Sequence, residues 1–285
     1  MTTPLAPTQR RLAVLGSPIG HSRSPLLHTA AYRQLGLDWT YESVEVSGEG
    51  LAAYVGLRDT TWRGLSLTMP LKRDVIPLLD SVDELATLTG SANTLLFGAD
   101  GSRHGFNTDV FGITESFARL GHTAFEHVHV LGGGATAATA VVAAARLGAR
   151  RVTVSVREPQ RASPLTAIGR AAAVPVTIGV LDAAADVSSD ALISTLPNGV
   201  DAGVDFDEAT RRSTVLFDVA YEPWPTPLAA SWLQVGGTVV PGIDMLVHQA
   251  VMQVRVFLHG SPDVRLPDEA AVFAAMQAVV GRPTA

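Results

Sequence analysis

The sequence contains one lysine, Lys72, among 21 lysine and arginine residues. Arginine stays protonated in proteins, whereas the pKa of a lysine falls when its amine is desolvated. In a chain that otherwise uses arginine, a retained lysine is a candidate for proton transfer to or from a reacting group. The alternative is an accidental surface lysine, and composition does not separate the two interpretations.

A glycine-rich segment, Gly132 to Ala137, predicts a second kind of chemistry. It follows an apolar run that ends at Leu131, and its sequence GGGATA fits the pattern G-x-G-x-x-A with Gly132, Gly134 and Ala137 at the fixed positions. The glycines of this pattern allow a tight turn and a close approach of backbone to a pyrophosphate, and the helix that follows offers free N–H groups. The segment therefore predicts a dinucleotide site.

The end of the next apolar run, at Val156, indicates which dinucleotide is preferred. An NAD site normally carries Asp or Glu there for the ribose hydroxyls. This chain has Arg157 there and Arg161 one helical turn later. Two guanidiniums suit the 2′-phosphate of NADP, so NADP is the predicted cofactor. Glu158 is compatible with NAD as well, and ordinary surface arginines are the alternative.

Several hydroxyl groups lie at the ends of predicted strands, where they could hold a small acid. Ser22 and Ser24 follow the first strand, and Ser24 precedes a proline in the manner of a helix N-cap. A helix start with two hydroxyls nearby is also suited to a carboxylate. Thr68 ends another strand just before Lys72. Asp109 precedes a predicted helix, where capping is the simpler interpretation.

Short apolar runs alternate with helical patterns along most of the chain, which predicts an α/β protein with mostly parallel sheets. Residues 182–190 are expected to form a loose loop. Strands are expected at 12–15, 41–46, 64–68, 128–131, 151–156, 174–180, 191–194, 215–219 and 237–240, and helices at 25–35, 72–79, 109–120, 135–147, 245–258 and 268–280.

Composition limits the class of protein. Hydrophobic residues make up 47% of the chain and charged residues 17%, which is enough for a large core. Apolar runs stop well short of the ~20 residues that a bilayer requires, and no secretory pattern opens the sequence, so the cytoplasm is the expected location. The net charge of −6 argues against nucleic acid and anionic membranes as partners. The chain has no cysteine, and His127 and His129 have no evident third ligand, so no metal is expected.

Beyond these single features, the sequence resembles the shikimate dehydrogenase family. The matching stretches occur in the family's order, and the order makes the resemblance specific where any one stretch would be weak. They are 16–28 (GSPIGHSRSPLLH), 66–72 (SLTMPLK), 92–94 (ANT), 107–109 (NTD), 132–137 (GGGATA), 218–228 (DVAYEPWPTPL) and 242–250 (GIDMLVHQA).

The resemblance implies reversible, NADP-dependent reduction of 3-dehydroshikimate to shikimate, in the synthesis of aromatic amino-acid precursors. The implied enzyme is a monomer or homodimer that acts on a small molecule. Carried onto matching positions, the resemblance implies that Ser22 and Ser24 bind the substrate carboxylate and that Thr68, Asn93 and Gln249 bind the substrate hydroxyls. It implies that Lys72 and Asp109 form the catalytic pair. The residues that it implies for the dinucleotide are Gly132, Gly133, Gly134, Ala135, Ala137, Arg157 and Arg161, with Tyr221, Gly242 and Met245 around the nicotinamide.

The family's fold has a substrate-binding domain, split between the two ends of the chain, and a Rossmann dinucleotide-binding domain between them. The expected boundaries here are 1–108 with 242–285, and 109–241. The chain departs from the family where Ser66 replaces a frequent Asn, and one polar contact with the substrate is therefore expected to be weaker or mediated by water. It also departs at 156–158, where Val-Arg-Glu replaces Asn-Arg-Thr and places an acid near the expected phosphate.

Two alternatives stay open from the sequence. A quinate or aminoshikimate dehydrogenase would share the fold and use the same pair of serines, Ser22 and Ser24. A non-catalytic NADP-binding regulator would share the dinucleotide site. The presence of both Lys72 and Asp109 counts against the regulator, because a sensor has no use for a proton shuttle.

Overall fold

A computed structural model of the chain describes residues 9–197 and 199–281. The described chain divides into unit 1, which holds 9–108 and 249–281, and unit 2, which holds 109–248. The first boundary between the units lies between Thr108 and Asp109. The second falls between His248 and Gln249 rather than at 242, because 242 is the first residue of a continuous helix whose early turns group with unit 2.

Unit 1 is built on a mixed sheet with the strand order β2-β1-β3-β5-β6-β4. The first and third strands are parallel neighbours, and the fifth runs antiparallel to the third and the sixth. The elements are β1 (Arg10–Gly16), α1 (Ser24–Gln34), β2 (Trp39–Glu45), α2 (Gly48–Gly56), β3 (Trp62–Leu67), α3 (Leu71–Asp74), β4 (Ser81–Val82), α4 (Glu84–Thr89), β5 (Thr94–Phe97) and β6 (Arg103–Phe106).

Unit 2 is built on a sheet with the order β12-β11-β10-β7-β8-β9, in which every neighbouring pair is parallel. Its elements are α5 (Asp109–Ala118), β7 (His127–Leu131), α6 (Ala135–Arg146), β8 (Arg151–Val156), α7 (Pro159–Ala162), α8 (Pro164–Ala171), β9 (Val176–Val180), β10 (Ala191–Ser194), α9 (Glu208–Ser213), β11 (Val215–Asp218), α10 (Pro227–Gln234) and β12 (Val239–Pro241), and the helix shared between the units is α11 (Gly242–His259). The last helix, α12 (Glu269–Val280), belongs to unit 1 and packs on α1.

The strand order reverses once in each sheet. In unit 1 the chain passes from β1 to β2 on one side and then to β3 on the other, and in unit 2 it passes from β7 to β8 and later to β10. Open α/β sheets bind ligands at such a switch point, outside the carboxyl ends of the strands. The topology thus points to the ends of β1 and β3 in unit 1, and of β7 and β10 in unit 2.

Each sheet carries its own core. Leu15, Leu65 and Leu95 are buried in one cluster of unit 1, and Leu192 and Trp232 in one of unit 2. The strands of a parallel sheet that is covered on both faces are largely apolar along their length, which is why β10 is a short apolar run, whereas β7 alternates valine with two histidines.

All the predicted strands and helices have counterparts, and the α/β fold class is confirmed. The sequence patterns missed the antiparallel hairpin of β5 and β6, whose strands are only four residues each. They also missed β4 and the helices α2, α4, α7, α8, α9 and α10, and the expected loop at 182–190 begins as a 3-10 helix, Leu181–Asp186. Periodicity is too short in such elements to stand out from the surrounding sequence. None of the described helices is both long and apolar enough to cross a membrane.

Two histidines of β7 lie inside unit 2. The Nε2 atoms of His127 and His129 hydrogen-bond to the hydroxyls of Thr153 and Ser155 on β8. Burial, together with the smaller effect of the neighbouring His127, lowers the pKa of His129 to about 4. The neutral imidazole is therefore the form that the fold accepts.

Unfolding should depend on pH through His129. Between about pH 6.5 and the folded pKa of about 4, the unfolded chain binds a proton that the folded chain does not, so stability falls as pH falls. Replacement His129→Gln should reduce this slope by up to about 1.4 kcal/mol per pH unit. Urea unfolding from pH 4.5 to 7.5 measures it. His259→Gln, at the exposed end of α11, should keep the wild-type slope, and an unchanged slope in His129→Gln would contradict the assignment.

Candidate active site

The carboxyl ends of β1 and β3 hold the predicted substrate-side residues of unit 1. The loops after the two strands are tied together, since Ser17 N–H donates to the carbonyl of Met69 and Thr68 N–H donates to that of Leu15. Gly16 has no room for a side chain, because a Cβ there would lie 2.5 Å from the methyl group of Thr68. The close approach brings the loop that carries Ser22 beside the turn that carries Thr68.

Ser22 and Ser24 lie at the start of α1. The structure corrects the predicted cap: Arg23 occupies the N-cap position, and Ser24 is already the first helical residue, with Pro25 in the first turn. The hydroxyl oxygen of Ser22 accepts the backbone N–H of Ser24 at 3.3 Å. The two serines therefore sit together at the start of the helix, as a carboxylate site requires.

Lys72 lies in the short helix α3, directly after the turn that begins at Thr68. The carbonyl of Thr68 accepts the N–H of Leu71, and the carbonyl of Lys72 accepts the N–H of Ala92. These backbone bonds attach the lysine-bearing turn to the segment just before Asn93. The position of Lys72 is thus fixed by main-chain contacts on both sides.

Asn93 is the centre of a buried polar cluster. Its side-chain amide donates to the hydroxyl of Thr108 at 2.8 Å and to Oε1 of Gln249 at 3.3 Å. Its side-chain oxygen accepts the backbone N–H of Thr108 at 2.9 Å and the hydroxyl of Thr94 at 2.9 Å. Asn93 and Gln249, predicted as partners of the substrate hydroxyls, are therefore in direct contact although 156 residues separate them.

Asp109 follows Thr108 and is the first residue of α5 and of unit 2. Its side chain is buried, with 4% of its surface exposed. The structure therefore places Lys72 and Asp109, the predicted catalytic pair, in different units. Asp109 directly follows Thr108, which belongs to the polar cluster around Asn93.

Ser66, the departure from the family pattern, is used inside the protein. Its hydroxyl accepts from Tyr41 at 2.6 Å and donates to Oε1 of Gln253 at 2.9 Å, and it is 3% exposed. The amide of Gln253 donates in turn to the carbonyl of Asn93 and to the hydroxyl of Thr94. Burial raises the pKa of Tyr41, opposed by its hydrogen bonds to Ser66 and Ser24, so the phenol stays a neutral donor.

The glycine loop of unit 2 lies at the second switch point. Gly132 has φ of +104°, and a Cβ there would lie 2.6 Å from the hydroxyl oxygen of Thr195, which follows β10. Both the N–H and the hydroxyl of Thr195 donate to the carbonyl of Leu131. Gly134 is the N-cap residue of α6, with open space where its Cβ would be, and Ala137 is fully buried. The first glycine is required by the fold, and the third leaves room for a ligand.

A cavity of about 350 Å³ opens beside this loop. Gly132, Gly133, Arg157, Glu158 and Arg161 all contribute to its walls. Glu158 forms an ion pair with Arg161 at 3.0 Å, and among the described residues no carboxylate lies within ion-pair distance of Arg157. Glu158, which left NAD compatible with the sequence, is thus paired with Arg161, and the guanidinium of Arg157 has no carboxylate partner among the described residues.

The last three predicted cofactor residues come from two further segments of unit 2. Gly242 begins α11 so close to the preceding loop that a Cβ would lie 2.2 Å from the carbonyl oxygen of Val219. Tyr221 belongs to that loop, and Met245 is buried one turn further along α11. The structure therefore brings Gly242 next to the loop of Tyr221. The predicted cofactor residues that do not line the cavity are Gly134, Ala135, Ala137, Tyr221, Gly242 and Met245.

Sequence reasoning missed several residues that hold these sites in shape. Thr108 joins Asn93 to Gln249, and Gln253, one helical turn after Gln249, carries the same network to Ser66. Asp218 accepts the hydroxyl of Thr226 and the N–H of Ala220, which fixes the loop of Tyr221. The signal available in the sequence was their position, because each of the three lies in or beside a family-like stretch.

Comparison with known proteins decides the family. The family model for the shikimate dehydrogenase substrate binding domain matches residues 14–95. A protein of Methanothermobacter thermautotrophicus named shikimate dehydrogenase (NADP(+)) is 32% identical over 90% of this chain and 94% of its own. The chain belongs to the shikimate dehydrogenase family. The family expected from the sequence is confirmed.

Solved structures agree with this assignment. Shikimate dehydrogenase from Mycobacterium tuberculosis is 41% identical, with a TM-score of 0.82, over 94% of this chain and 99% of that one. Shikimate 5-dehydrogenase from Thermus thermophilus, solved in complex with NADP(H) and shikimate, is 28% identical, with a TM-score of 0.79, over 95% and 99%. The roles of the individual site residues stay predictions.

The glycines of the loop should respond differently to substitution. Gly132→Ala places a side chain at positive φ against Thr195 and should lower the free energy of unfolding by about 1 kcal/mol or more. Gly134→Ala meets open space at φ −83° and should leave it within about 0.5 kcal/mol of wild type. Urea unfolding of the ligand-free variants measures both. Equal effects would show that the strain at Gly132 is absent.

Proposed function

We propose that this chain reversibly reduces 3-dehydroshikimate to shikimate with NADPH. The observation that carries the proposal is the buried contact of Asn93 with Gln249 and Thr108, beside the backbone-anchored turn of Lys72. The cluster presents amide and hydroxyl groups at the switch point of unit 1, where a polyhydroxylated acid needs hydrogen-bond partners. Relatives that carry the name shikimate dehydrogenase (NADP(+)) support the same substrate and cofactor.

The two units take different parts of this function. Unit 1 is proposed to bind the substrate, with Ser22 and Ser24 on the carboxylate and Thr68, Asn93 and Gln249 on the hydroxyls. Unit 2 is proposed to bind NADP. The enzyme is proposed to act in the cytoplasm, as a monomer or a homodimer.

The residues of unit 2 fit NADP. The backbone of the loop at 132–134 carries no side chain beyond hydrogen and leads into the N-terminus of a twelve-residue helix, which suits a pyrophosphate. Arg157 offers a guanidinium without an opposite charge for the 2′-phosphate. Tyr221, Gly242 and Met245 are proposed to lie near the nicotinamide. When bound, NADP accepts or returns the hydride.

The protein must then manage one proton. As shikimate is oxidised, hydride leaves the carbinol carbon and the hydroxyl loses its proton, and the reverse step gives the proton back. Lys72 is proposed to exchange this proton through Nζ, with Asp109 as its catalytic partner. A positioned acid–base group of this kind contributes about 100-fold to 10,000-fold to the rate.

Removal of the lysine tests this role. Lys72→Ala should lower kcat for NADP⁺ reduction by shikimate about 100-fold or more, while NADP⁺ affinity stays near wild type because the dinucleotide residues belong to unit 2. Arg73→Ala, the next residue on the same helical turn and exposed, is the matched control and should keep wild-type kcat.

Two results would overturn the assignment. A wild-type kcat in Lys72→Ala would show that the lysine takes no part in the proton transfer. If the wild type does not turn over shikimate with either dinucleotide, shikimate is not its substrate. Faster turnover of quinate or aminoshikimate in the same assay would then identify that acid as the substrate.

Dinucleotide preference should depend on Arg157. Arg157→Gln should raise KM for NADP⁺ about tenfold or more and leave KM for NAD⁺ nearly unchanged, because a charge-assisted contact to phosphate is lost. Initial rates with each dinucleotide measure the ratio. Arg170→Gln on α8, exposed and outside the cavity walls, should change neither value. A parallel loss with NADP⁺ and NAD⁺ would assign Arg157 to a part that both cofactors share.

A further inference from the structure

A second cavity lies at the end of the unit 1 sheet opposite to the proposed substrate site. Its volume is about 420 Å³, and it lies at the amino-terminal ends of β1 and β3. Arg10, Arg58, Arg63 and Arg103 contribute to its walls, and Asp59 is the carboxylate among the lining residues. This concentration of positive charge occurs in a chain whose net charge is −6.

Two of these arginines are held in place by neutral groups. Arg10 donates to the carbonyl of Thr60 at 2.6 Å, and Arg63 donates to the carbonyls of Phe257 and Phe97. Burial lowers the pKa of Arg63, and the charge of Arg10 lowers it further. The protein therefore holds two like charges close together and gives neither a carboxylate partner among the described residues.

Arg58 is positioned by aromatic rings. Its guanidinium lies 4.0 Å from the ring centroid of Tyr54 and 4.7 Å from that of Trp62. Its Nε is buried and makes no hydrogen bond with any described residue. The neighbouring carboxylate of Asp59 accepts from the N–H and hydroxyl of Thr61 instead. Stacking orients the guanidinium without using its two terminal amino groups, which leaves those groups available to a ligand.

Arg103 is the member of the group with an acidic neighbour. Its Nε lies 3.8 Å from a carboxylate oxygen of Asp80. The remaining positive charge of the cavity therefore comes from Arg10, Arg58 and Arg63, against the carboxylate of Asp59. Such a set matches an anion with at least two negative charges, because each guanidinium can present parallel donors to an oxyanion.

We propose that this cavity binds a small oxyanion with two or more negative charges, held by Arg10, Arg58 and Arg63. Phosphate and carboxylate groups share the required chemistry. The site is separate from the proposed substrate site, because β3 begins at the cavity and ends before Thr68. A six-residue strand spans about 20 Å, so both ligands can be bound at once.

The test uses the indole N–H signal of Trp62, which lies against Arg58, in ¹⁵N-labelled protein saturated with NADPH and shikimate, two reduced ligands that cannot react with each other. Inorganic pyrophosphate is titrated in one series and citrate in another. A saturable shift of the Trp62 signal with either anion is expected, and the stronger of the two separates a phosphate from a carboxylate ligand. The signals of Trp224 and Trp232, which belong to unit 2, serve as references.

Variants assign the binding to the arginines. Arg58→Gln and Arg10→Gln should each weaken binding about tenfold or more, since each removes a charge-assisted contact. Arg150→Gln in unit 2, an exposed residue paired with Glu126, should bind as wild type does. Well-dispersed spectra establish that each variant is folded. The proposal is wrong if neither anion shifts the Trp62 signal, or if folded Arg58→Gln and Arg10→Gln both bind with wild-type affinity.

Discussion

The carboxamide of Asn93 joins the two separate stretches of chain that make up unit 1. It contacts Thr94 beside it, Thr108 at the end of the N-terminal portion, and Gln249 on the returning helix. A buried amide is costly unless its donors and acceptor are satisfied, so these contacts fix each partner in one arrangement. The split unit depends on this cluster, because it ties the segment after 249 to the sheet of residues 9–108.

The same constraint extends to the interior behind the site. Gln253 accepts from Ser66 and from His28, whose ring stacks on Tyr41 at 4.0 Å, and donates to Asn93 and Thr94. The hydroxyl of Ser66 accepts from Tyr41 and donates to Gln253, so it is used within the protein. The position that departs from the family pattern therefore belongs to a polar network that has its donors and acceptors matched.

Both units place their proposed ligands by one physical rule. Parallel strands end at the same edge, and a reversal of strand order separates the loops there, so the ends of β1 and β3 and the ends of β7 and β10 become sites. Close backbone contacts at Gly16 and Gly132 bring the neighbouring segments together in each case. The arginine-lined cavity lies at the amino ends of β1 and β3, which the rule does not favour. It depends on side-chain charge and aromatic stacking instead.

The sequence by itself determined the α/β class, the positions of the long strands and helices, and the family, because apolar periodicity and short motifs are local properties. It also marked Lys72, the glycine loop and Arg157 before any contact was known. Only the tertiary structure decided that Asn93 meets Gln249 and that Ser66 bonds to Tyr41 and Gln253. It also decided where α11 changes unit and that four arginines share a cavity. These facts depend on which distant segments pack together, and that choice is made by burial and hydrogen bonding over the whole chain rather than by any one stretch of it.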